Sequence, residues 1–86
     1  MFGGETCEGE IKFSKDMINT VIDRFGEEVT LMPMGSEYFK VITEVNAGEG
    51  FISWILQFGE KAQVLYPEKI RLDIKLKIDK MRELYK

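Results

Sequence analysis

One thiol, Cys7, is the chain's only candidate for soft nucleophilic or metal-binding chemistry, and no histidine accompanies it in 86 residues. A cysteine works as the thiolate, which needs a neighbouring base, cation or metal to form near neutral pH. Without histidine the commonest general base and the commonest metal ligand are both missing. No Ser/His/Asp or Cys/His set can therefore be assembled. Glu27 and Glu28 are adjacent carboxylates, but neighbours in a turn behind Gly26 are solvated rather than poised for acid–base work. The segment Gly48-Glu49-Gly50 lacks the wider glycine pattern that cradles a phosphate. These types and spacings predict no catalytic residue, no metal ligand and no cofactor.

Two further groupings invite a chemical reading. Phe51, Trp54 and Phe58 could form an aromatic ligand cage, but helical spacing and flanking aliphatics assign them to a core. Lys69, Arg71, Lys75, Lys77, Lys80, Arg82 and Lys86 could meet phosphates. They are interleaved with Asp73, Asp79 and Glu83, the pattern of a solvated helix face. Residues 1–66 hold 5 basic and 11 acidic side chains, a net −6, and residues 67–86 hold 7 and 4, a net +3. An acidic body with a basic tail predicts no direct binding to DNA.

The elements that hold these residues follow from periodicity. Residues 1–8 carry two adjacent glycines and read as a linker or frayed end. Residues 10–13 alternate as a strand. Ser14 stands at an N-cap position, and Met17, Ile18, Val21, Ile22 and Phe25 share one face of a helix over 15–25, stopped by Gly26. Residues 29–33 and 38–45 read as strands joined at Gly35-Ser36 into a hairpin. A second, largely buried helix spans about 50–58, closed by Gly59, and 62–66 is a short strand. Pro67 and Glu68 suit the start of a last helix, whose stripe Ile70, Ile74, Ile78, Met81 and Tyr85 is expected to pack on the domain. Leu72 and Leu76 lie on the opposite side of that helix.

The order β-α-β-β-α-β plus a helix predicts an α+β fold of the ferredoxin-like, split βαβ kind, with an antiparallel sheet covered on one face by two helices. Ile11, Phe13, Phe39, Val41, Val45 and Val64 should point at the helices. Met32, Tyr38, Lys40 and Ile42 should lie on the open face, a candidate interface together with Leu72 and Leu76. A lone cysteine in so small a domain, with no signal peptide and no apolar run long enough to span a membrane, predicts a reducing compartment, the cytoplasm, and no membrane partner.

The run Trp54-Ile-Leu-Gln-Phe-Gly59, then Val64-Leu-Tyr-Pro-Glu68, then Arg71 and a terminal helix ending in Leu84-Tyr85 resembles the C-terminal extension, called WCX, of bacterial WYL-domain transcription regulators. Residues 19–26 resemble that family's first helix, and residues 1–5 the linker before it, so the resemblance spans nearly the whole chain. It makes Trp54, Phe58, Gly59, Pro67, Glu68 and Arg71 the signature positions, read physically as fold markers. It implies a parent protein with a winged helix-turn-helix, a middle WYL domain thought to sense ligands, and this extension last. The chain carries neither a DNA-reading helix nor a Trp-Tyr-Leu motif.

The expectation is a single regulatory domain over residues 9–86 of a longer protein. Its role would be non-catalytic and its partners would be its own WYL and helix-turn-helix domains and a second copy in a homodimer. The alternative is a ferredoxin-like sensor that binds a small molecule at a sheet edge or dimer interface. An acylphosphatase-type enzyme would need an arginine and an asparagine in an anion-cradling loop after the first strand, whereas Arg24 comes only after the first helix core.

Overall fold

The computed structural model describes residues 6–27, 29–46 and 48–86. Strand β1 (Thr6–Ser14) runs through a 3-10 turn (Lys15–Met17) into helix α1 (Ile18–Phe25). Strands β2 (Thr30–Met34) and β3 (Tyr38–Asn46) form a hairpin, followed by helix α2 (Glu49–Leu56). A second 3-10 turn (Gly59–Lys61) leads to strand β4 (Ala62–Tyr66) and helix α3 (Glu68–Leu84). The result is a mixed architecture of three helices and one four-stranded antiparallel sheet, in the order β2-β3-β1-β4.

The alternation read from the sequence sets the two sheet faces. β1 pairs with β3 so that Ile11 meets Val41 and Phe13 meets Phe39, and β1 pairs with β4 so that Ile11 meets Val64. Those side chains and Val45 are buried in one cluster with Met17 and Val21 from the first helical segment, Phe51 and Ile55 from α2, and Ile70 from α3. All six strand residues expected to face the helices do so. The Phe13 and Phe39 rings stack with centroids 5.8 Å apart. Gly9 lies on this face opposite Thr43, where a Cβ would come within 2.9 Å of a Val45 methyl, so the close approach of β1 to Val45 requires glycine.

Several boundaries differ from expectation. β1 begins at Thr6, so residues 6–8 of the expected linker belong to the sheet and Cys7 is a half-buried strand residue opposite Val45. Residues 1–5 of that linker, and Glu28 of the carboxylate pair, lie outside the described residues. Ser14 precedes the 3-10 turn without a side-chain cap bond. Gly26 does end α1, its N–H donating to the Ile22 carbonyl at 2.8 Å. Pro67 is the cap residue of α3 rather than its first helical residue, and its carbonyl accepts the Arg71 N–H at 3.2 Å.

The largest correction concerns α3. Ile70 is buried and Ile74 half-buried, but Ile78 is 47% exposed and Tyr85 85% exposed, with Met81 exposed between them. An α-helix rises about 1.5 Å per residue, so the stripe from Ile70 to Tyr85 is roughly 22 Å long. Its neighbours, β4 and α2, are 5 and 8 residues long, so the expected stripe outruns its support and only its first two turns are covered.

Both sheet edges are guarded. β2 carries Pro33, which has no N–H to offer another strand, and the Val64 carbonyl of β4 accepts a side-chain hydrogen bond from Arg71.

Candidate interaction surfaces

The six positions expected to mark the family fall into two structural groups. Trp54 and Phe58 were expected inside the core; both are instead half-buried and pack against its rim, because α2 presents Phe51 and Ile55 to the sheet and leaves Trp54 on its flank. Four rings surround it, with centroids at 4.9 Å for Phe58, 5.5 Å for Phe25, 6.1 Å for Phe13 and 6.4 Å for Phe51. The Arg24 guanidinium lies 5.3 Å from the indole, a cation–π arrangement. Trp54 thus joins α1, α2 and β1. An open cleft of about 650 Å³ passes its edge, with Arg24, Glu44 and Phe51 among its walls.

The second group ties α3 to β4. Gly59 adopts φ +60°, a left-handed conformation suited to glycine, and turns the chain toward β4. Pro67 then caps α3. Arg71 lies 3.5 Å from Glu68 one turn back and donates to the Val64 carbonyl at 3.0 Å. The planar guanidinium can serve both partners at once.

The open sheet face is more polar than alternation in β3 alone suggested. Met32 pairs with Lys40, Met34 with Tyr38 and Thr30 with Ile42. Across the central strands Glu8 lies opposite Glu44, Glu10 opposite Ile42, Lys12 opposite Lys40, and Ser14 opposite Tyr38. Lys40 reaches Glu10 diagonally at 3.3 Å, and the Lys12 ammonium sits 4.2 Å from the centre of the Tyr38 ring. Met32, Tyr38, Lys40 and Ile42 therefore share one face as expected, but with a charged band between them. The sequence reading missed Glu8, Glu10, Lys12 and Glu44. Alternation in β1 held the signal for the first three, and the pairing register was needed to set them against β3.

Leu72 and Leu76 are 51% and 60% exposed. They lie on α3, which packs on β4 and α2 among the helices, whereas Met32, Tyr38, Lys40 and Ile42 lie on the uncovered side of the sheet. The six candidate interface residues thus fall on two separate surfaces. Of the seven basic residues of the tail, Arg71, Lys77, Arg82 and Lys86 are in ion pairs, with Glu68, Glu49, Asp79 and Glu83.

Elsewhere, Lys61 of the second 3-10 turn contacts Asp16 of the first at 2.9 Å. The Lys61 hydrogen bond, followed by one from Ser14, holds the Asp16 carboxyl below its ordinary range, and the same contact raises Lys61. Among the described residues no buried side-chain polar atom lacks a partner, no group of acidic, cysteine or histidine residues could hold a metal ion, and no helix is long and apolar enough to cross a membrane. In comparison with known families, the family model described as the WCX domain aligns with residues 5–82. No curated protein and no solved structure matches the chain.

Proposed function

The chain belongs to the WCX domain family, and on that ground we propose that it is the non-catalytic C-terminal regulatory and oligomerisation domain of a bacterial, cytoplasmic WYL-type transcription regulator. The observation that carries this reading is the extent of the match, residues 5–82 of 86. We read the architecture as ferredoxin-like. The element order supports this, as does the placement of β1 between β3 and β4 with the hairpin strand β2 outermost. In this role the domain acts through surfaces, on the WYL and helix-turn-helix domains of its own protein and on a second copy, and not on DNA. The acidic body and the tail basic residues already paired with carboxylates support the last point.

The test has two arms. The reading frame containing this chain should encode a winged helix-turn-helix and a WYL domain upstream, and the isolated chain should give no sequence-selective mobility shift with duplex DNA at physiological salt. A frame without those domains, or a selective shift by the chain alone, overturns the assignment. Light scattering on the wild type and on Leu72→Asp/Leu76→Asp asks whether α3 takes part in association.

A second reading, a small-molecule sensor, is favoured by the cleft beside Trp54, where a cation, a carboxylate and aromatic rings converge. Trp54 is the sole tryptophan, so an effector in that cleft would change the fluorescence of the chain directly.

A further inference from the structure

The two central strands carry like charges directly opposite one another on the face that no helix covers. Lys12 lies across from Lys40 toward one end, and Glu8 across from Glu44 toward the other. Like-charge pairs in this position are unfavourable in an isolated sheet. The diagonal Lys40–Glu10 contact offsets one of the lysines. Among the described residues no ion pair is made by Lys12, Glu8 or Glu44. Four residues of strand, roughly 13 Å at about 3.3 Å per residue, separate the basic from the acidic row. The face is therefore a dipole along the strand direction.

We propose that this face binds the same face of a second copy, about a two-fold axis that lies across the strands at the level of Glu10 and Ile42. This rests on the oligomerisation role proposed above and names its surface. Rotation about such an axis reverses strand direction while keeping β1 over β1 and β3 over β3. The basic row of each copy then covers the acidic row of the other, twice per dimer, as two-fold symmetry requires. An axis along the strands would put like on like, so the charge pattern selects one orientation. Ile42 and Glu10 each come close to their own symmetry mates, the Glu10 carboxylates facing one another with each held by its own Lys40, and Met32 and Tyr38 give flanking apolar cover. Two sheets packed face to face stand about 10 Å apart, within reach of lysine and glutamate side chains from both sides. The guarded edges agree: with Pro33 in β2 and Arg71 on the Val64 carbonyl, the face is the sheet surface left for a second copy.

The test uses charge reversal and mixing. Lys12→Glu/Lys40→Glu makes the face acidic and Glu8→Lys/Glu44→Lys makes it basic. Each variant alone should associate about tenfold or more weakly than wild type, because like charges are brought together. An equimolar mixture should form the heterodimer, read by native mass spectrometry, with circular dichroism verifying that each variant is folded. As an arm that does not depend on the charged variants, Ile42→Cys in a Cys7→Ser background should form a symmetric disulfide under mild oxidation. A wild-type chain that stays monomeric at hundreds of micromolar, folded variants that fail to associate when mixed, or no disulfide through position 42 would each overturn the proposal. A dimer broken by Leu72→Asp/Leu76→Asp yet indifferent to the face charges would also overturn it, while leaving the oligomerisation role intact.

Discussion

Arg71 Nη1 donates a hydrogen bond to the Val64 carbonyl oxygen at 3.0 Å, so the second turn of α3 is pinned to the outer edge of β4. The residues are seven apart, and the cap at Pro67 and the ion pair with Glu68 hold the guanidinium in place. Arg71→Ala should destabilise the domain by about 1 kcal/mol, the usual value of a net hydrogen bond. Arg71→Lys should recover little of it, since an ammonium cannot hold both partners in a planar fork. Glu68→Ala should matter less, as exposed one-turn pairs contribute only a few tenths of a kcal/mol. Urea denaturation of the three variants checks the order.

Trp54→Ala should cost about 3 kcal/mol, at the lower end for large aromatic truncations because the indole is half-buried. Trp54→Phe should retain part of this through the Phe25 and Phe58 contacts. A Trp54→Ala variant that melts like the parent would show that the four surrounding rings hold together without the indole.

Gly9→Ala should destabilise by about 1–3 kcal/mol, the range for overpacking a filled core. The added methyl would meet the buried Val45 side chain. Pairing the change with Val45→Ala should restore part of the loss beyond additivity, which a double-mutant cycle reads from melting curves.

The Asp16–Lys61 contact predicts a titration signature. With its carboxyl held low in the folded chain, Asp16 contributes stability above its unfolded value, and that contribution is lost as pH falls through the folded value. Lys61, held high, contributes below its unfolded value and loses the contribution as pH rises through the folded one. Carboxyl carbon shifts measured by NMR should place the Asp16 midpoint below that of an ordinary aspartate, and Lys61→Ala should move it upward.

The strand cores were legible because period-two alternation needs only local sequence. Ile11, Phe13, Phe39, Val41, Val45 and Val64 all face the helices. What alternation cannot supply is register: nothing local sets Lys12 against Lys40 or Glu8 against Glu44, and the character of the open face depends on those pairings. In α3 the stripe was read correctly as a helix face, but the burial of Ile78, Met81 and Tyr85 depended on how far the neighbouring elements extend, which a helix's own sequence does not encode. Trp54 shows the same limit, since its rim position follows from which residues of α2 meet the core, Phe51 and Ile55. Arg71, expected as a fold marker, makes a hydrogen bond to β4 that the sequence does not spell out.

The proline in β2 has a consequence for how this chain behaves when crowded. Thr30-Leu31-Met32-Pro33-Met34 is an exposed, uncharged, apolar outer strand, a composition that would otherwise template cross-β fibril growth. Pro33 interrupts the segment as a gatekeeper: a molecule arriving alongside β2 finds no N–H there, and the fibril ladder would break at its first layer. Pro33→Thr should leave the native fold nearly intact while shortening the lag time of thioflavin-positive aggregation. The part that Pro33 plays would then lie in solubility during synthesis rather than in regulation.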